Sequence, residues 1–174
     1  MQPHAALIRN ARLSDKMIAM NLVNKVYSEC EGHIWVKGHR RLSDELFETY
    51  CTKQQLKIAE IGDIIVGCVV ISRINDVTEL SMLVVRPEFR NQGIGNTLIQ
   101  FVLDTAKENG SYCVRLMLLY PKCQDDPWKT KLKSWYSKLG FEYVKDVDVA
   151  SNLNPDFIHD LALEINYSVF EKLL

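Results

Sequence analysis

Apolar positions change their period several times along the chain, and each change marks an element. Ala5 to Asn10 predicts a first strand. Ser14-Asp15 then offers a helix N-cap, and Met17, Met20, Val23 and Tyr27 follow at helical spacing, so Asp15 to Cys30 predicts a helix. Glu31 to Arg41 reads as a loop. Ser43 caps a second helix running to about Cys51, with Leu46, Phe47 and Tyr50 as its apolar face. Leu56 to Ile61 and Ile64 to Arg73 are short runs rich in Ile and Val across Gly62-Asp63, a hairpin whose glycine-first turn suits type II′. Thr78 to Val85 is a further strand, stopped by Pro87. Gly93 to Asn109 carries the clearest helical stripe, in Ile94, Leu98, Phe101, Val102 and Ala106, with Gly110 at C′. Cys113 to Leu119 is a continuous apolar run broken by Arg115, as in a central strand. Trp128 to Leu139 is a helix closed by Gly140, and Phe141 to Val149 is a strand. Pro155 opens a helical turn before a last strand at about Leu163 to Phe170. The order β-α-α-β-β-β-α-β-α-β-β predicts one α/β domain over residues 1–174, with no linker or repeat.

Composition narrows the function classes. With 47% hydrophobic and 25% charged residues in 174, the chain has enough apolar mass for one sizeable core. A formal net charge of -1 gives no electrostatic reason to expect nucleic acid. Cys30, Cys51, Cys68, Cys113 and Cys123 are odd in number and form no CxxC pair, which disfavours a disulfide framework or a zinc site. His4, His33, His39 and His159 show no metal-ligand spacing and read as structural or exposed. Met1 to Ala6 is too short and mixed for a signal peptide, and no run approaches the length of a membrane span. The expectation is a cytoplasmic protein with no membrane, nucleic-acid or metal partner.

The chemistry concentrates in Arg86-Pro87-Glu88-Phe89-Arg90-Asn91-Gln92-Gly93-Ile94-Gly95-Asn96, which joins a strand to a helix. A helix N-terminus presents unpaired N–H groups and the positive end of the macrodipole, so it attracts phosphate. Gly93 and Gly95 let an anion approach the backbone, and Arg90 can add a charge-assisted contact. No Lys follows Gly95, which excludes a P-loop, and Leu98 stands where a dinucleotide fingerprint needs glycine. Arg90-x-x-Gly93-x-Gly95 resembles the (Gln/Arg)-x-x-Gly-x-(Gly/Ala) signature of GNAT acetyltransferases. Leu83-x-Val85-x-Pro87 upstream and Leu98-Ile99 downstream extend the match. Trp135-Tyr136-Ser137-Lys138-Leu139-Gly140-Phe141 is similar to that family's second signature, aromatic-Tyr-x-x-x-Gly-Phe.

The resemblance implies a mixed, mostly antiparallel twisted sheet of about seven strands flanked by helices. It implies acetyl-CoA as co-substrate, with the pyrophosphate on the backbone of Gln92, Gly93, Ile94, Gly95 and Asn96, beside Asn91, and with Thr97 as a hydroxyl contact. The pantetheine arm would lie along Leu83, Val84 and Val85, with a strand N–H near Leu83 polarising the thioester carbonyl. Glu79 is the candidate base for the amine, on a strand where strict alternation aligns Glu79, Ser81 and Leu83 on one face. Tyr136 matches the family's usual acid for the leaving thiolate. The family's Asn seven residues before that tyrosine is here Lys129, so this edge of the site departs from the pattern. Lys122, Lys129, Lys131 and Lys133 read first as a solvated helix face and otherwise as partners for CoA phosphates. On the acceptor side stand Tyr27, Glu29, Glu31, His33, Trp35, Asp44 and Glu48, of which Glu29, His33 and Trp35, with Ser81, are the candidate substrate contacts. The reading is direct N-acetylation of a primary amine on a small molecule. The alternatives are a peptide or protein acceptor and a non-catalytic CoA-binding module. A homodimer is common in such folds, though no surface patch marks one.

Overall fold

The Gly62-Asp63 turn forms as its glycine-first order requires. It joins β2 (Leu56–Ile61) to β3 (Ile64–Ile74), with Ile61 opposite Ile64 and Gly62 at φ +59°. In this computed structural model, which describes residues 6–174, the remaining elements are β1 (Leu7–Asn10), α1 (Lys16–Glu31), α2 (Asp44–Thr52), β4 (Val77–Val85), α3 (Ile94–Glu108), β5 (Cys113–Pro121), α4 (Pro127–Lys138), β6 (Glu142–Val147), α5 (Val149–Asn152), α6 (Pro155–Ile158) and β7 (Ile165–Leu173). Ala5, expected to start the first strand, and His4 lie outside the described residues. The strands make one sheet in the order β1-β2-β3-β4-β5-β7-β6. All pairs are antiparallel except β4 with β5.

Each sheet face is covered by the helices whose apolar stripes meet it. On one face Leu98, Ile99 and Val102 of α3 pack with Val66, Val114 and Phe170, and Leu132 and Trp135 of α4 join the margin. On the other, Ala19 and Val23 of α1 and Phe47 of α2 pack with Ile58, Cys68 and Val84. A third cluster, of Ile34, Trp35, Leu119, Phe157, Ile165 and Tyr167, ties the loop after α1 to the connection between β6 and β7. That tie is reinforced by backbone bonds from Val36 N to Asp160 O and from Ala162 N to Ile34 O, both 2.8 Å. Among the described residues no helix is long and apolar enough to cross a membrane.

Two strand ends and the register within one strand differ most from the sequence expectation. β6 ends at Val147, because the Asp148 carboxylate accepts from Ser151 N and starts α5. β7 begins two residues later than expected, at Ile165, and runs on to Leu173. Its far end is paired throughout with β5, so Glu171 and Lys172 are held in the ladder despite their polarity. The third difference, inside β4, matters most for the site. Val70 faces Ser81 but Cys68 faces Val84, so β4 carries one extra residue there, and Met82 sits at φ +49°. Beyond this bulge the alternation inverts. Leu80 and Leu83 both pack on the α3 face, while Met82 and Val84 pack on the α1 face. The expected alignment of Glu79, Ser81 and Leu83 on one face is therefore overturned at Leu83, because strict alternation fails at a bulge.

Candidate active site

β4 and β5 are parallel neighbours for only a short stretch: Val77, Thr78 and Glu79 pair with Cys113, Val114 and Arg115. Past that point no pairs join them, and β4 carries the bulge at Met82. The gap is a cavity of about 140 Å³ lined from both strands and from α1 and α4, with Glu79, Ser81, Leu83, Val84 and Tyr136 among its walls. A parallel pair that separates leaves N–H and C=O groups without ladder partners, and these can hydrogen-bond an extended guest as another strand would.

The turn before α3 adjoins this region through Arg90, which lies over the ring of Trp128, a wall of the cavity. A 3-10 turn over Pro87–Phe89 ends at Arg90, and the chain then passes through two left-handed residues, Asn91 at φ +60° and Gly93 at φ +83°. The first helical bond runs from Thr97 N to Gly93 O at 3.0 Å, so the N–H groups of Ile94, Gly95 and Asn96 point out of the helix end. No acidic side chain lies in the first turn to neutralise it. A Cβ built on Gly93 would meet nothing within 4 Å, so open space lies above the turn.

The two glycines serve different ends. At Gly95 a Cβ would come within 3.2 Å of the Trp135 ring, so this glycine admits α4 against α3. The Trp135 indole also donates to Asn96 Oδ1 at 3.1 Å. Gln92 Nε2 donates to Glu88 O, and the Thr97 hydroxyl donates to Gly93 O, both at 3.2 Å. Arg90, the expected charge-assisted contact, lies with its guanidinium 5.2 Å from the Trp128 ring centroid. The free donors at this turn are therefore backbone N–H groups, while the side chains of Gln92, Asn96 and Thr97 are engaged with neighbours.

Tyr136, from α4, and Glu79, from β4, both line the cavity. Tyr136 is only 4% exposed, stacks at a tilt on Trp135 and meets Phe141 edge-on. Burial, reinforced by nearby Tyr27, pushes its phenol well above the ordinary tyrosine value, so the hydroxyl keeps its proton at neutral pH. Glu79 belongs to a carboxylate–guanidinium–carboxylate row across three strands. Arg115 lies 2.6 Å from Glu171 and 3.5 Å from Glu79, so Glu171 takes the close contact and Glu79 is held loosely.

The acceptor end is organised differently from the sequence expectation. Glu31, the last residue of α1, is bound by the Lys129 ammonium and accepts from Trp35 Nε1 at 3.2 Å. Lys129 is 2% exposed, so it is neither part of a solvated helix face nor a phosphate contact, and that expectation is corrected. Burial alone raises the Glu31 carboxyl, but Lys129 and Arg41, with the bonds from Lys129 and Trp35, outweigh it and hold the group below its usual 4.5. His33 is drawn off to Asp126, the N-cap of α4, at 3.0 Å, so a second polar link crosses the open strand ends. Glu29 is exposed, and neither it nor His33 nor Trp35 lines the cavity. Trp35 is buried, stacked on His39 at 4.1 Å, and acts on the site by holding Glu31. Ser81 alone of the candidate substrate contacts is a wall. Sequence reading missed Arg41, Arg115 and Tyr167, which line the cavity too. A charged residue within an apolar run was the one available signal, and it marked Arg115 alone.

The chain can now be set beside known proteins. Residues 52–143, more than half of it, match the profile of the acetyltransferase (GNAT) domain. No curated protein matches it in sequence. Among solved structures it superposes on the ribosomal-protein-alanine N-acetyltransferase of Brucella melitensis with a TM-score of 0.70 at 17% identity, covering 97% of this chain and 99% of that one. A GNAT-family acetyltransferase of Staphylococcus aureus Mu50 gives 0.67 at 18%, covering 98% and 99%. N-acetylglutamate synthase of Neisseria gonorrhoeae, complexed with coenzyme A and N-acetyl-glutamate, gives 0.69 at 19%, covering 97% of this chain and 35% of that one. These identities carry the likeness of fold. The matched profile spans the bulged strand, the glycine turn before α3 and Tyr136, and the chain belongs to the GNAT acetyltransferases, a family of acetyl-CoA-dependent acyltransferases.

Proposed function

We propose that the protein moves the acetyl group of acetyl-CoA directly onto a primary amine of a small molecule. The observation that carries this is the gap between β4 and β5, with Glu79 and Tyr136 in its walls and the turn at the open N-terminus of α3 joined to it through the Arg90–Trp128 contact. In the proposed arrangement the pyrophosphate rests on the N–H groups from Gln92 to Asn96, beside Asn91 and Arg90. The pantetheine arm runs along Leu83, Val84 and Val85, and the thioester carbonyl takes an N–H at the bulge. Glu79 removes a proton from the acceptor ammonium. The free amine attacks the thioester carbon, the C–N bond forms and the C–S bond breaks, and the second amine proton leaves to solvent. Tyr136 donates a hydrogen bond to the departing sulfur. Its raised pKa makes it a stabiliser of the developing thiolate more than a source of a fully transferred proton. The closed acceptor end, where α1 is linked to α4 by Lys129 and His33, favours a small acceptor over a peptide laid through a groove.

The test is calorimetric titration with acetyl-CoA, with ATP as control, followed by thiol release over a panel of amines. Saturable acetyl-CoA binding and acetylation of an amine support the proposal; binding without turnover of any amine favours a CoA-sensing module; no binding rejects it. Glu79→Gln should lower kcat/KM about 100-fold. The residual rate should climb with pH through the range in which the amine loses its own proton, and an unchanged rate removes Glu79 as base. Tyr136→Phe should lower kcat about 10- to 100-fold with the KM for acetyl-CoA unmoved, which paired rate and saturation measurements would read.

A further inference from the structure

Five charged side chains line the cavity: Glu31, Arg41, Glu79, Arg115 and Lys129. Lys129 takes Glu31, and Arg115 is taken at short range by Glu171 behind the wall. Two charged groups lack a short ion pair, although Arg41 also feels the Glu31 charge. Glu79 keeps only its 3.5 Å contact to Arg115, and Arg41 makes no ion pair among the described residues. Arg41 stands between the loop after α1 and the start of α2. Its guanidinium carbon lies 5.1 Å from the ring centroid of Tyr27, 5.5 Å from that of Trp35 and 5.4 Å from that of Phe157. Within this aromatic enclosure its Nε and Nη1 are sealed from solvent and have no hydrogen-bond acceptor.

A buried donor without an acceptor is costly, and a guanidinium fork with two such donors matches the two oxygens of a carboxylate. The aromatic rings fix the fork's position, and the one acceptor they offer, the Tyr27 hydroxyl, leaves Nε and Nη1 without a partner. Arg41, Glu79 and Tyr167 line the same cavity, so the two poles border one space. One cation and one anion facing a common space complement a zwitterion. We infer that the acceptor is an amino carboxylate, its carboxylate held by Arg41 and its amine presented to Glu79. This rests on the acetyl-transfer reading for the chemistry, but the carboxylate site itself can be tested by binding alone.

The experiment uses the whole protein saturated with desulfo-CoA and titrated calorimetrically with free amino acids, with ω-amino acids of increasing chain length, and with the matching carboxamides. At least one amino carboxylate should bind, and its carboxamide should bind about 100-fold more weakly. Arg41→Met should erase that difference, and Arg41→Lys should restore part of it. Thermal melts of both variants establish that they are folded, and Arg41→Lys keeps the comparison usable where Arg41→Met is unstable. No binding by any amino carboxylate, equal binding of acid and amide, or an undiminished preference in a folded Arg41→Met would overturn the inference. Acetyl-CoA titration separates the two readings. Loss of acetyl-CoA binding with the Arg41-dependent preference intact withdraws acetyl transfer alone, whereas acetylation of amines that lack a carboxylate, with no Arg41 effect, withdraws this inference alone.

Discussion

Gly93→Glu should lose acetyl-CoA binding by at least about 100-fold while the fold survives. Two effects add at this position. Gly93 lies at φ +83°, where a residue with a Cβ is strained by roughly 1–2 kcal/mol. The new carboxylate would also sit at the positive end of α3, where it can take the free N–H groups for itself and repel a pyrophosphate. The fold should tolerate the change because a Cβ there meets no atom within 4 Å. Gly93→Ala isolates the strain and should lose only about 10-fold, the equivalent of roughly 1.4 kcal/mol. Calorimetry on both variants, with melting curves alongside, checks the claim. Unchanged affinity in Gly93→Glu would remove the turn as the phosphate site, and equal losses in the two variants would reduce its role to backbone shape.

Lys129→Met should destabilise the protein by about 3–5 kcal/mol, since it strands the Glu31 carboxylate in a buried position. Arg41 and the Trp35 indole remain near and set the loss toward the lower end. The pH dependence has a definite sign. In the wild type the Glu31 pKa lies below its unfolded value, so the pair's stabilisation is full above about pH 4.5 and is lost as pH falls through the folded value. In Lys129→Met burial dominates and the carboxyl pKa rises above the unfolded one. The variant therefore regains stability as pH falls, and its deficit against the wild type should narrow below about pH 5. Adding Glu31→Leu should recover part of the loss, because the stranded carboxylate is gone, while Arg41 and the Trp35 indole lose a partner. Urea unfolding at pH 7 and pH 5 on the single and double variants measures both effects. A deficit independent of pH, with no recovery in the double variant, would mean that the pair acts through packing.

The site's two ends were unequally legible. The α3 turn could be read because backbone chemistry there follows from local residue order: Gly93 takes a left-handed conformation, and the N–H groups of a helix start are free wherever that helix lies. Tyr136 was legible for a similar reason, since its place on the α4 stripe follows from helical spacing. The acceptor end depends on contacts between distant segments. Glu31 and Lys129 lie 98 residues apart and His33 and Asp126 lie 93 apart, and neither pair shares a periodic pattern. Lys129 stood in a lysine-rich helix start that reads as solvated, and only its meeting with the end of α1 buries it. Arg41 drew no notice in a polar loop until Tyr27, Trp35 and Phe157 closed around it.

The order of residues determined by itself the alternation of strands and helices, the hairpin at Gly62-Asp63, the anion-attracting turn at Gly93 and the stripe that carries Tyr136. All of these rest on interactions within a few residues of the chain, which dihedral preference and hydrophobic period describe. Tertiary structure alone decided the bulge that turns Leu83 away from Ser81, the parting of β4 from β5 and the pairing of charges around the cavity. The reason is physical. A bulge is defined by the partner strand, and the charge state and exposure of an ionisable side chain are set by what other segments bring to it through burial and opposite charge.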